Sequence, residues 1–133
     1  MRTILGAFLC AAFLAVGCNS DVHRANLKGK VTLDDKPIEK GLVEFIPADG
    51  KTPSAKGGII VNGEYSAEVV PGNVLVKITS PEVVGKRKMY DTPDSPLVDD
   101  VKERIPTKYN DETILKETIQ SNQKELHFKL SSK

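Results

Sequence analysis

Tryptophan is absent from this 133-residue chain, and aromatic residues make up only 5% of it. Sugar-stacking surfaces and platforms for single-stranded nucleic acid are built from such rings, so the composition argues against both. Cysteine is almost as scarce: Cys10 and Cys18 are the only two, and both lie in the N-terminal segment. The remainder of the chain can therefore form neither a disulfide nor a thiolate metal site, and it must rely on an ordinary apolar core. Histidine is limited to His23 and His127, too few for a histidine-based zinc site or a clustered acid–base centre. An excess of one charge is lacking too. Arg2 is the only charged side chain before Cys18, so 19 basic residues fall to 18 from that point on, against 18 acidic ones. A near-neutral chain has no general field to attract nucleic acid or an anionic membrane. No apolar run reaches the ~20 residues of a membrane-spanning helix. This length accommodates one domain.

What is present begins with Arg2 followed by Ile4 to Val16, an unbroken run of apolar and small residues. It is too short for a span but suits the apolar region of a signal peptide. The run ends in Leu14-Ala15-Val16-Gly17-Cys18, which resembles a bacterial lipoprotein signal. Such signals usually carry leucine three places before the cysteine, where this chain has Ala15. Three boundaries follow: a signal peptide over 1–17, a lipidated Cys18 with a short tether to 26, and a domain over 27–133. Cys18 is the expected lipidation site, its covalent lipid takes the place of any cofactor, and palmitate is among the acyl groups expected. Two or more chains anchor stably where one holds marginally. The eight tether residues reach about 16 Å, so the domain rides close to the membrane, extracytoplasmic and within the cell envelope.

From Leu27 the pattern alternates. Leu27, Gly29, Val31 and Leu33 share one face of a half-buried strand, and Asp34-Asp35-Lys36-Pro37 turns the chain. Residues 41–46 form the next strand with Val43 and Phe45 inward, ended by Pro47 and followed by a polar loop over 48–55. Residues 58–61 and 64–69 flank Asn62-Gly63, a strong hairpin signal because a type I′ turn needs positive φ at both places. Val74, Val76 and Ile78 line a fifth strand after Pro71-Gly72. Two more strands close the chain over 113–119 and 124–130, with Leu126, Phe128 and Leu130 inward and Glu117 at a rim. The expected fold is all-β: a seven-stranded Greek-key β-sandwich, prealbumin-like or immunoglobulin-like.

Between them, residues 81–111 read as a long loop without a clear strand, unusual in a compact domain. Ser95-Pro96 suggests the start of a short helix, with Asp99 and Asp100 near its positive end, Lys102 and Arg104 near its negative end, and Pro106 as its stop. Leu97, Val101 and Ile105 would share its inner face. Asp91, Asp94, Asp99 and Asp100 are weak candidates for a calcium site, which wants several oxygen ligands; their spacing matches no calcium loop. Lys86-Arg87-Lys88 reads either as a contact for headgroups or an anionic polymer, or as a solvated loop. Tyr109 is expected to plug one end of the domain and so keep the long loop ordered. His127, flanked by Leu126 and Phe128, should face solvent.

Several stretches taken in order carry a family likeness: Gly29-Lys30-Val31-Thr32-Leu33-Asp34-Asp35-Lys36-Pro37-Ile38, then Gly41-Leu42-Val43-Glu44-Phe45-Ile46-Pro47, Asn62-Gly63-Glu64-Tyr65, Pro71-Gly72-Asn73-Val74-Leu75-Val76-Lys77-Ile78 and Ile105-Pro106-Thr107-Lys108-Tyr109-Asn110. Together, behind a lipoprotein signal, they resemble the small planctomycete-type lipoproteins with a carboxypeptidase-regulatory-like domain. The resemblance implies a prealbumin-like sandwich and an envelope address, with no catalytic residues to transfer. The usual Asp-Gly-Lys-Pro turn of that family reads Asp34-Asp35-Lys36-Pro37 here. The functional expectation is a non-enzymatic, membrane-anchored binding or adaptor module, partnered by an envelope protein or glycan and by no nucleic acid. The alternatives are a structural subunit of a surface or envelope assembly and, behind it, a calcium- or carbohydrate-binding accessory domain.

Overall fold

A computed structural model describes residues 23–52 and 57–133. Strands account for 56% of it and helix for almost none, so the protein is all-β. Among the described residues no helix is long and apolar enough to cross a membrane. Residues 1–22, and with them the expected signal peptide, Cys18 and half of the tether, lie outside the described residues.

The alternation seen in the sequence carries the main sheet. β1 (Ala25–Leu33) buries Ala25, Leu27, Gly29 and Val31 and exposes the residues between. It starts two residues before the expected Leu27, because Ala25 continues the buried phase and pairs with Val69. Asp34 and Asp35 take φ of 50° and 63°, so both accept the left-handed conformation that a tight turn into β2 (Lys36–Pro37) demands. β3 (Lys40–Pro47) buries Val43 and Phe45. β4 (Gly58–Val61) and β5 (Glu64–Val69) meet at Asn62-Gly63, with φ of 51° and 80°, the geometry of a type I′ turn. β6 (Gly72–Thr79) buries Val74, Val76 and Ile78.

The stretch beyond β6 overturns the expected loop and helix. β7 (Pro81–Lys88) and β8 (Leu97–Glu103) form a two-stranded antiparallel sheet of their own. Leu97 and Val101 are exposed on it instead of sharing a helix face with the buried Ile105. The physical reason lies in the side chains. Val83, Val84, Val98 and Val101 are β-branched and favour extended backbone, and Pro96 stands just outside β8, a place that suits it as well as a helix start does. The ends of the last two strands also differ from expectation. β9 covers only Lys116–Ile119 and β10 only Phe128–Leu130, and a single 3-10 turn spans Thr107–Tyr109.

The main sheet curls through the order β10-β1-β5-β4-β3-β6-β9, with β2 beside β1. Every pairing is antiparallel except β1 with β10. Between β4 and β5 the ladder holds only Val61 opposite Glu64, at the turn. The rings of Phe45, Tyr65 and Phe128 meet 6.1 to 6.4 Å apart, although they stand on β3, β5 and β10 and those strands are not neighbours. The curl therefore folds the sheet over its own buried face.

Following the strands also defines two poles. Ala25, Pro47, Val69, Gly72 and Ile119 lie at one; Leu33, Lys40, Val61, Glu64 and Thr79 lie at the other. The first pole receives the chain from its N-terminal segment. β7 and β8 leave from the second as an arm, one strand length away, or roughly 30 Å for nine residues.

Candidate functional site

The root of the arm is a hydrogen-bonded knot. Ser80 is buried, and its hydroxyl donates to the Lys40 carbonyl at 2.7 Å. One oxygen of Glu103 accepts both the Ser80 and the Ile105 backbone N–H at 2.8 Å. Asn110, also buried, donates from its side chain to the Ile105 carbonyl at 2.9 Å. Next to it Tyr109 packs into the core, and its Oη accepts the Ser131 N–H at 3.3 Å. The expected plug is in place, and it steadies the return from the arm.

On the arm, the two charge clusters singled out in the sequence prove to be each other's neighbours. Lys86 stands directly opposite Asp99, and Gly85 opposite Asp100. Arg87 Nε lies 3.8 Å from Asp100 Oδ1, and at the arm's root Arg104 Nε lies 3.5 Å from Glu82 Oε2. Opposite charges across an antiparallel pair support the ladder. Asp91 and Asp94 sit in the exposed connection beyond β7, and Asp99 and Asp100 point to opposite faces of β8. The four weak calcium candidates are thus not brought together, and no group of three or more metal-ligating side chains occurs among the described residues. What the arm does bring together is apolar surface: Val83, Leu97 and Val101 are 57%, 62% and 55% exposed.

A second cluster escaped the sequence reading. Beside β1 the parallel ladder to the last segment begins with Lys28 N–H donating to the Lys124 carbonyl and Leu126 N–H donating to the Lys28 carbonyl, then breaks. Two side chains close the gap. Tyr65 Oη donates to the Leu126 carbonyl at 2.8 Å, and Lys30 N–H donates to His127 Nδ1 at 2.9 Å. Leu126 O reaches so far over Gly29 that a Cβ there would lie 1.7 Å from it. A glycine in the buried phase of a strand was the available signal, since it marks a close backbone approach. Burial first, and then the Glu117 charge, push the Tyr65 hydroxyl far above its ordinary range, so it stays a donor. His127 is exposed, as expected, with Nε2 3.8 Å from Glu125 Oε2. Because Nδ1 accepts, the hydrogen bond assigns the proton of the neutral ring to Nε2, leaving no free lone pair to act as a base. His23 is exposed ahead of β1.

Two further concavities lie towards the first pole. A groove of about 510 Å³ runs between β6 and β9, lined by Asn73, Leu75, Lys116, Glu117 and Thr118 among others. Glu117 is half-buried there, at the rim as expected. Asn73 and Thr118 bond each other at 2.8 Å. In the adjoining hollow, Asp49 accepts the Lys51 and Thr52 N–H groups at 3.0 Å and the Thr52 hydroxyl at 2.6 Å. Those bonds, chiefly from Thr52, hold its carboxyl below the usual range and leave it committed to the turn.

No family model and no curated protein matches the sequence. A solved structure similar to it is the crystal structure of a 9R-lipoxygenase from Cyanothece PCC8801, at 18% identity and a TM-score of 0.35. The match covers 82% of this chain and 16% of that one. Nothing of that enzyme's fold or chemistry is carried over at such a distance.

Proposed function

We propose that this protein is a non-enzymatic, lipid-anchored module of the bacterial cell envelope, held outside the cytoplasm by acyl chains on Cys18 and acting as a binding or adaptor domain. The observation that carries it is polarity: β1 takes up the N-terminal segment at one pole, while the arm, with its exposed valines and leucine, leaves from the opposite pole. A domain tethered through residues 18–26 would turn its arm away from the membrane that anchors it. Supporting the non-enzymatic reading, the polar groups best placed for chemistry are engaged in the fold: His127 Nδ1, Asp49 and Glu103 each accept backbone N–H groups.

In its finer form the fold is read as a Greek-key β-sandwich of the prealbumin-like kind, as in the planctomycete-type lipoproteins that the sequence resembles. The lapse of the β4–β5 ladder and the ring cluster joining β3, β5 and β10 support two packed sheets. A second reading, a structural subunit of an envelope assembly, is favoured by the arm's free edges. A calcium-binding role is weakened by the pairing of Asp99 and Asp100 with β7, and a carbohydrate-binding role by the lack of tryptophan.

Cys18→Ser tests the anchor. The expected result is release of the protein from membranes together with loss of lipid labelling; a variant that stays membrane-bound defeats the proposal.

A further inference from the structure

An isolated two-stranded hairpin is at best marginally stable in water, and the arm has no apolar body beneath it. Its two faces are unlike. Pro81, Val83, Lys86 and Lys88 of β7 stand opposite Glu103, Val101, Asp99 and Leu97 of β8 and share one face. All eight are exposed. The other face carries Val98 and Asp100, both half-buried, with Arg87 against Asp100. The first face is open from end to end.

We infer that this face is a self-association surface, covered by the same face of a second copy of the chain. The argument is its charge pattern. The basic side chains of the face, Lys86 and Lys88, are on β7 and the acidic ones, Asp99 and Glu103, on β8, with Lys86 and Asp99 at the same height. Sheets stack about 10 Å apart. A two-fold axis parallel to the strands, midway between two stacked arms, sets β7 of each copy over β8 of the other without changing height. Val83 then covers Val101 of the second copy, Lys86 faces its Asp99, and Lys88 lies over its Leu97. The two-fold perpendicular to the strands lays β7 on β7 and β8 on β8 with heights reversed. Lys86 then falls on Val83, Lys88 on Pro81, Asp99 on Val101 and Glu103 on Leu97, and every charge meets an apolar residue. Only the first arrangement sets opposite charges face to face, at two Lys86–Asp99 contacts.

The surface is small. Seven cross-strand pairs make a face roughly 24 by 10 Å, so the stack buries less than the ~1,200 Å² of a standard interface. Association is weak, with a Kd between about 10 µM and 1 mM. The arm's position at the pole far from Ala25 leaves the face accessible. The pairing is independent of the anchoring proposal, since it holds with Cys18 intact or replaced by serine.

Sedimentation velocity on the full chain in detergent, up to about 1 mM, tests it. The wild-type chain is expected to dimerise. Lys86→Asp and Asp99→Lys, each alone, place like charges face to face and should weaken the dimer about tenfold or more. Mixing the two variants sets Asp against Asp99's replacement and restores opposite charges in both contacts, so the mixture should dimerise as a heterodimer. A variant arm that had simply come apart would not be rescued by mixing. A monomeric wild-type chain over the whole range, variants that dimerise as well as the wild type, or a mixture no better than its components overturns the inference.

Discussion

Phe45 and Leu97 each stand on an antiparallel strand, yet one is wholly buried and the other 62% exposed. The difference is the second layer. In the body the core-facing side chains pack into one cluster, in which Phe45 meets Tyr65 and Phe128 from other parts of the curled sheet. In the arm the strands meet chiefly each other, and their charge pairs are exposed ones that contribute little. Alternation thus makes a strand in both places, but only a facing layer turns it into a core.

The sharpest way to break that contrast is truncation on both sides of it. Phe45→Ala should destabilise the protein by about 3–5 kcal/mol, through lost burial and the cavity left behind. Leu97→Ala should stay within about 0.5 kcal/mol, because a surface side chain has little burial to lose. Urea unfolding of the two variants, well below the concentration at which copies pair, measures both. A cost at Leu97 comparable to that at Phe45 would mean that the arm is packed within the monomer.

Glycines provide a second contrast. A Cβ at Gly29 would lie 1.7 Å from Leu126 O and 2.8 Å from the Tyr65 ring, whereas one at Gly85 meets nothing within 4 Å. Gly29→Ala must push the Leu126 carbonyl off Tyr65 Oη, and should cost about 2–4 kcal/mol as strain and a lost part-buried hydrogen bond combine. Gly85→Ala should be neutral to within about 0.5 kcal/mol. Thermal unfolding of both variants decides it. Equal, small effects would remove the ladder gap at Gly29 from any account of the fold.

These two regions also differ in how far the sequence discloses them. The body's strands announce themselves through strict alternation, and its turns through Asp34-Asp35 and Asn62-Gly63, whose positive φ values are a local demand met by local chemistry. The arm's alternation is hidden. Its β7 carries an extra residue between Val83 and Gly85, which shifts the phase halfway along, and its open face mixes valine and leucine with charge. Asp99, Asp100, Lys102 and Arg104 fit a helix dipole as well as a cross-strand pairing. Only the partner strand distinguishes the two, and that pairing is not local. The knot at Gly29 was half legible: the glycine was visible in the buried phase, but the carbonyl that needs its space comes from Leu126, 97 residues away. The lipid anchor proposed for Cys18 belongs to a segment outside the described residues, and there the sequence alone carries the proposal.

The smallest effect concerns an exposed charge of the body. Hydrogen bonds from the Ser132 side chain and then from its N–H, the latter at 3.0 Å, hold the Asp34 carboxyl below its ordinary value. A carboxyl whose pKa is lowered by folding contributes stability above the unfolded value of about 3.9, and that contribution is lost as pH falls through the lowered folded value. Asp34 is fully exposed and at positive φ, so the change should be local: the tail from Ser131 loosens while the core holds. The Ser132 amide resonance is expected to titrate with a midpoint below 3.9, and Asp34→Asn, which keeps the turn because asparagine tolerates positive φ, should abolish that titration. A Ser132 amide that titrates identically in the Asn variant would show that another carboxyl holds the tail, and the Asp34 turn would lose its link to the chain's end.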